Sequence, residues 1–328
     1  MHGRTWRCRS YHDSQKMTTI RIHVYTFKMN PTPLRISTMT VTGSLGVAPN
    51  LQTLYDSCHF IPYWYIGEGI IKIQYSNAQK GISMEDILHK TSKEKKSFFN
   101  QSSLVFRSHI EGLWYKEINI KLFKNGGFQM TGISSEDMAR NALTSLIHQN
   151  VSKGIWPSPP TIASFSTRMI NSDYTIGKAI RRDRLHQTLV ETYGLWSSYE
   201  PTIYQGVNTK FFWNKSRPAG APPGICVCPN PCNGGGSGYK VGDCKKITIS
   251  PFRTGSIIIT GAKHIEQLQD AYIFINDVLT KHADTVLRDE QEPPPKKKPI
   301  VTPTTTEGVI RQRMRASPRN IVICGKNE

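Results

Sequence analysis

Residues 244–282 read CKKITISPFRTGSIIITGAKHIEQLQDAYIFINDVLTKH, and this stretch decides the fold. Ile247 and Ile249 alternate with Thr248 and Ser250, the period of two that suits a half-buried strand. Thr254 and Gly255 make a turn, and the run Ser256, Ile257, Ile258, Ile259, Thr260 is β-branched at four of five positions, which favours a second strand ending at Gly261. From Lys263 onward Ile265, Leu268, Tyr272, Ile275 and Leu279 recur at spacings of three and four, one face of a helix. The same unit stands earlier, at residues 117–149: EINIKLFKNGGFQMTGISSEDMARNALTSLIHQ. Phe123, Gly126, Thr131 and Gly132 return as Phe252, Gly255, Thr260 and Gly261, each 129 residues later. After Gly132, Ser134 or Ser135 can cap a helix with Glu136 or Asp137 in its first turn, and Met138, Ala142, Leu146 and Ile147 form its apolar stripe. The chain contains a direct repeat.

Working outward, each half has the order β-α-β, insertion, β-β-α. In the first half, residues 34–45 are expected as a strand, 50–60 as a short helix capped by Asn50, and 64–75 as a strand with Ile71 and Ile73 on one face. Residues 76–116 read as a polar insertion with a small helix near 84–89 and a basic run at 90–96. In the second half, 165–176 is a strand, 182–193 a helix and 203–213 a strand, followed by a Pro/Gly/Cys-rich insertion at 214–243. The expected organisation is a flexible basic arm (1–30, with 20–25 as a short strand), a first repeat (31–155), a second repeat (156–285) and a disordered basic tail (286–328).

The chain of 328 residues carries 42 Lys and Arg against 24 Asp and Glu, a formal net charge of +18. Residues 1–30 hold six basic residues against Asp13, and 293–328 hold eight against Glu307 and Glu328, so the middle is left with +7. Such a balance favours a polyanionic partner, nucleic acid above all, although two solvated basic tails on a neutral body would give the same total. No run of about 18 or more apolar residues occurs, which speaks against a membrane-spanning helix. The basic, polar N-terminus has no apolar h-region, so secretion is not expected. Seven cysteines, four of them clustered, do not form a disulfide framework in a chain this long and suit a reducing, intracellular compartment.

The residues ITISPFRTGSIIITGAK in the second half, INIKLFKNGGFQMTG in the first and SSYEP at 197–201 resemble the two repeats of the TATA-binding protein core. The resemblance covers residues 34–75, 117–150, 162–213 and 244–282, and the insertions and tails make the chain similar to a divergent member of the kind large DNA viruses carry. It implies an α+β saddle: two pseudo-symmetric halves forming one curved antiparallel sheet of ten strands, with helices on the convex back and a concave face on the DNA minor groove. A sheet that lies in that groove needs small, β-branched or apolar contact residues, because the groove offers few distinguishing donors. It also needs wedges at both ends to unstack base steps and basic residues along its edges to hold phosphates.

Transferred residue by residue, the resemblance places wedges at Phe123 and Phe252. Their partner wedges are counted six residues before a basic residue on the preceding strand: Tyr204 before Lys210, and Ile66 before Lys72. Both depart from the family's phenylalanine; isoleucine remains an apolar wedge, and tyrosine must set its hydroxyl at a wet edge. The competing reading for all four is that of ordinary core residues, and it weighs more for Ile66 and Tyr204 than for the two phenylalanines. Groove-floor contacts are expected from Thr131 and Thr260 with Ile258, and on the first strands from Ser37 with Met39 and Thr167 with Met169. Ser37 and Thr167 replace paired asparagines, with a register uncertainty of one or two residues. Lys121 and Gln129 stand where the family is apolar, which loosens a preference for A·T steps. Phosphate contacts fall to Lys72, Lys210, Lys124 and Arg253, each of which also reads as a solvated surface charge. Glu200 matches a position used to dock general transcription factor IIB, and reads equally well as a helix-to-strand turn residue.

Cys226, Cys228, Cys232 and Cys244 lie within 19 residues, between prolines and a glycine turn. Four sulfurs at short spacing can complete a tetrahedral zinc site, and a hairpin tip without apolar residues needs such a staple. The spacing is not the usual paired one, so reduced thiols and a disulfide remain open. No other cofactor is called for. Histidines are scattered and no phosphate loop, zinc-protease motif or nucleophile elbow occurs, so no enzyme is expected. The expected function is a transcription initiation factor that binds A·T-rich promoter DNA as a monomer, kinks it, and assembles a transcription factor IIB-like protein and the RNA polymerase machinery. Its place would be the nucleus or a cytoplasmic viral factory; the Lys run at 296–298 reads as a nuclear-localisation signal or, at least as well, as a solvated tail. The alternatives are a protein-interaction adaptor whose saddle has lost specific DNA binding, and a nucleic-acid enzyme reusing the sheet.

Overall fold

Alternation of apolar and polar residues sorts most of the long strands into one helix-covered and one open face, and this sorting builds the molecule. The computed structural model describes residues 29–88, 99–110, 115–230, 232–237 and 241–288. The expectations for residues 20–25, 90–96 and 296–298, and most of the expected N-terminal arm and C-terminal tail, lie outside the described residues. The first repeat runs β1 (Arg35–Ser44), α1 (Leu51–Ser57), β2 (Gly69–Tyr75), β3 (Ala78–Gly81), α2 (Met84–Leu88), β4 (Gln101–His109), β5 (Tyr115–Phe123), β6 (Gly127–Ile133) and α3 (Glu136–Asn150). The second runs β7 (Ser164–Thr175), β8 (Ala179–Ile180), α4 (Arg182–Glu191), β9 (Ser197–Ser198), β10 (Asn208–Trp213), β11 (Lys245–Pro251), β12 (Ser256–Ala262) and α5 (Ile265–Lys281), then α6 (Ala283–Val286) and β13 (Leu287–Arg288).

Among the described residues, eleven strands form one sheet in the order β3-β2-β4-β5-β6-β1-β7-β12-β11-β10-β9. All its strand pairs are antiparallel. Outward from the β1/β7 centre the two halves match strand for strand, and β3 is the additional edge strand. Thr40 and Met169, themselves related by the repeat offset, face each other across that centre. The α+β saddle of two pseudo-symmetric halves is therefore the architecture of this chain. Among the described residues no helix is long and apolar enough to cross a membrane.

The helix-covered face is the core. Ile118, Ile120, Phe128 and Met130 in the first half and Ile247, Ile249, Ile257 and Ile259 in the second are buried with α3 and α5 residues such as Ala142, Leu146, Leu268 and Ile275. Each such isoleucine contributes roughly 1.5–3 kcal/mol by leaving water. Helix α3 starts where expected: the Ser135 hydroxyl accepts from the Met138 N–H at 3.1 Å, and Glu136 and Asp137 fill its first turn. In α5 the Gln267 side chain accepts from the Lys263 and His264 N–H groups, closing the first turn from the other side.

The first insertion is smaller than the expected 76–116. Residues 101–109 form β4, which pairs with β5 along its length, from Gln101–Phe123 to His109–Tyr115. Ser102, Leu104, Phe106 and Ser108 turn into the core on alternate positions, so this segment belongs to the repeat.

Candidate nucleic-acid interface

Two symmetric turns mark the ends of the open face. Gly126 N–H donates to the Phe123 carbonyl at 3.0 Å, and Gly255 N–H donates to the Phe252 carbonyl at 3.0 Å. Both glycines hold φ near +80° (80° and 83°), and a Cβ would meet the carbonyl oxygens of Val47 and Lys178 at 2.3 and 2.1 Å. Phe123 and Phe252 emerge from these turns half-buried, at the sheet's edge and outside the hydrophobic core. Tyr204 joins Phe252 edge-to-face, with ring centroids 5.7 Å apart. The Glu200 carbonyl accepts from the Ile203 and Tyr204 N–H groups at 2.9 and 2.8 Å, so its backbone builds the turn that presents Tyr204 while its side chain stays exposed.

The partner of Phe123 differs from the expected one. Lys210 faces Thr248 in β11, and the residue facing the equivalent Asn119 in β5 is Val105 of β4. Six residues before Val105 stands Phe99, 61% exposed, in the register that Tyr204 holds in the second half. Ile66 lies in the loop whose Tyr65 carbonyl accepts from Arg107, while Phe123 faces Gln101. Six residues of β4 separate those ends, about 20 Å at roughly 3.4 Å per residue. Ile66 is therefore not the counterpart of Tyr204. The expectation failed because Lys72, on the neighbouring strand β2, offered a false basic match to Lys210. The signal that could have found Phe99 is the alternating Leu104 and Phe106, counted back from the strand that pairs with β5.

On the open face Asn119 faces Thr131 and Thr131 faces Thr40; Thr248 faces Thr260 and Ser250 faces Ile258. Thr131, Thr260 and Ile258 thus stand together on the floor as expected. The first strands are shifted by irregularities. Met39 is 4% exposed and packs in the core opposite Ile170, and Ser37 falls at a break in the β1–β7 register. Thr167 pairs with buried Val41 and donates to Glu136 at the start of α3, on the helix-covered side. The floor positions are Thr38 and Thr40, facing Asn171 and the exposed Met169. Asn171 carries a buried side-chain oxygen with no hydrogen-bond partner. Lys121 faces Gln129, and Thr42 faces Gln129 from the other side. Phe123, Lys124, Gln129, Phe165 and Arg168 line a groove beside the first Phe-x-x-Gly turn.

The two edges are chemically unlike. In the second half the Lys210 ammonium donates to the Thr248 hydroxyl at 2.9 Å and lies over the Trp196 ring; burial, then neighbouring Lys246, lowers its pKa. Lys245 is lowered in the same way by burial, Lys263 and Lys246. Arg253 and Lys124 are exposed just past Phe252 and Phe123. In the first half Lys72 is 5% exposed and donates to both Asp86 oxygens at 2.6 Å, so it is withdrawn from solvent and from any phosphate. Burial alone would raise the Asp86 carboxyl, but Lys72 and the Ser83 hydroxyl and N–H outweigh it and hold the carboxyl below its usual range. Helix α2 thereby sits on the open face. Its first N–H, from Met84, donates to Glu117, whose pKa burial raises, and Ile61, Ile71 and Val105 form a small second core under Tyr63. Arg107 donates to the Tyr63 and Tyr65 carbonyls and completes this cover.

The four clustered thiols meet between β10 and β11. The Asp243 N–H bond, with a second backbone bond from Cys244, draws the Cys228 thiol down to about 7, while burial pushes Cys226 up to about 12.

No family model matches this sequence. A protein of Acanthamoeba polyphaga mimivirus named "TATA-box-binding protein-like" is 28% identical over 273 residues, covering 77% of this chain and 67% of that protein. Among solved structures, Methanococcus jannaschii TBP is similar at 14% identity with a TM-score of 0.41, over 77% of this chain and 99% of that one, a likeness too distant to add to the argument. By its internal repeat, its sheet and its viral relative, the chain resembles the TATA-binding protein family in a divergent form like that of a large DNA virus.

Proposed function

We propose that this chain is a transcription initiation factor that binds promoter DNA in the minor groove, kinks it, and has no chemistry of its own. The observation that carries this reading is the open face itself. A floor of threonines, Ile258 and Asn171 ends at both sides in a Phe-x-x-Gly turn that holds an aromatic ring at the sheet's edge. Hydroxyls, β-branched methyls and one amide suit a groove whose A·T edges present acceptors only, and the Asn171 amide would meet such acceptors there. The ring pairs, Phe252 with Tyr204 and Phe123 with Phe99, would enter base steps near the two ends of the site. Bending a site costs on the order of 1–10 kcal/mol, offset by the contact area gained. Glu200, exposed on the turn that presents Tyr204, would dock a transcription factor IIB-like partner, with RNA polymerase following.

End-labelled A·T-rich and G·C-rich duplexes test this by gel shift and by energy transfer between their ends. A shift with end-to-end shortening, stronger on A·T, is expected. No shift on either duplex would overturn the reading in favour of a protein-binding adaptor, for which the polar pair Lys121 and Gln129, facing each other across β5 and β6, is the structural motive.

A further inference from the structure

We infer that Cys226, Cys228, Cys232 and Cys244 bind a single structural zinc ion as four thiolates. Their sulfur atoms all lie within 4.8 Å of one another, and the Cys228 and Cys244 sulfurs are 3.4 Å apart. Tetrahedral coordination at about 2.3 Å per Zn–S bond sets sulfurs roughly 3.8 Å from each other, which matches this spread. Donors already aim at the sulfurs: Asp243 N–H at Cys228 and Gly234 N–H at Cys232, both at 3.3 Å, and the Asn214 amide at Cys244 at 3.5 Å. Such bonds stabilise thiolates and are what metal-bound sulfurs receive. Room is also reserved, since a Cβ on Gly242 would lie 2.5 Å from the Cys232 sulfur and 3.1 Å from that of Cys228.

The segment needs the ion. Between β10 and β11 its described residues bury no apolar side chain fully apart from Cys244 itself, and Ile225 alone packs partly against the core. Its order rests on a few backbone bonds, including Gly236 N–H to the Cys244 carbonyl and Lys246 N–H to the Gly234 carbonyl, and on the Arg217 guanidinium, which donates to the Phe212, Pro222 and Ile225 carbonyls. Zinc binding supplies folding free energy that such a segment lacks. Four thiols lose their protons to solvent as the ion enters, and the resulting dianionic centre sits where Lys245 and Lys246 begin β11. An all-sulfur tetrahedral set favours zinc over oxygen-seeking cations.

Full-length protein purified under reducing conditions tests this by elemental analysis and cobalt substitution. About one zinc per chain is expected, together with the strong visible bands of tetrahedral cobalt–thiolate in the exchanged protein. Cys232→Ser should lose the metal and Cys58→Ser should keep it. Should Cys232→Ser fail to fold, stepwise thiol modification of the unmutated chain must release zinc to a chromophoric chelator as the four thiols react. A metal-free protein whose melting temperature ignores added zinc, a Cys228–Cys244 disulfide, or iron in place of zinc would each overturn the inference. None of these readouts involves DNA, so the zinc site and the promoter reading can fail separately.

Discussion

Phe99 and Ile66 are both exposed apolar side chains beside the first half of the sheet, and only strand register distinguishes them. Phe99 precedes β4 by two residues, at the end where Gln101 faces Phe123, whereas Ile66 sits beyond the other end. An aromatic ring held at a sheet's edge with little core contact contributes little to folding. Phe99→Ala should therefore shift stability by about 0.5 kcal/mol or less. If the ring enters a base step, the same change should cut the DNA bend sharply, while Ile66→Ala leaves it intact. Energy transfer across an end-labelled duplex separates the two, and equal bends for both variants would remove Phe99 from the wedge. Phe252→Ala tests the other end, where the Tyr204 ring would lose its edge-to-face partner and the bend should fall as well.

Helix α2 has only five residues, too short to stand alone, and its place depends on the clasp between Asp86 and Lys72. Removing the carboxylate with Asp86→Ala strands a nearly buried ammonium, at a cost of about 1–3 kcal/mol. The Asp86 carboxyl is held below the ordinary carboxylate value of 3.8, so its stabilisation is present above that value and is lost as pH falls further, through the folded pKa. Protection of the Ser83 and Met84 amides, taken relative to their intrinsic exchange rates, should fall on acidification below the usual carboxylate range and hold above it, and protection unchanged through that window would dissolve the clasp. This element also shows what the sequence could and could not disclose. The two β-β-α units were legible because alternation, a Phe-x-x-Gly turn and a fixed offset coincide in both. The identity of β4 was not, because similarity between segments does not say which neighbour a strand will pair with, and Lys72 mimicked Lys210 from the wrong strand. The first-strand contacts slipped for another reason: breaks in the β1–β7 register, between Ile36 and Thr38 and opposite Arg168, shift which residues face the core. The two Phe-x-x-Gly turns and the threonines Thr131 and Thr260 were legible by residue, because each threonine keeps its unbroken pairing with the preceding strand, to Asn119 and Thr248.

Across the whole molecule the symmetry of the backbone is not a symmetry of charge. Asn119 of β5 and Thr248 of β11 are equivalent, and they face Val105 in one half and Lys210 in the other. Two residues earlier on the same strands, Glu117 beneath α2 corresponds to Lys246 on the uncovered half. A polyanion lying along the open face would thus be gripped on the second half and meet a capped, charge-neutralised surface on the first. Each phosphate contact steepens the salt dependence of log affinity by about 0.9, so the asymmetry has a direct readout. Lys210→Ala and Lys246→Ala should each flatten the salt slope by about one and weaken binding similarly on every sequence. Lys72→Ala should leave the slope unchanged, because its ammonium is already committed to Asp86 inside the fold. A slope that drops equally for Lys72→Ala and Lys210→Ala would mean that α2 leaves the open face when DNA arrives, and that both halves then grip the duplex alike.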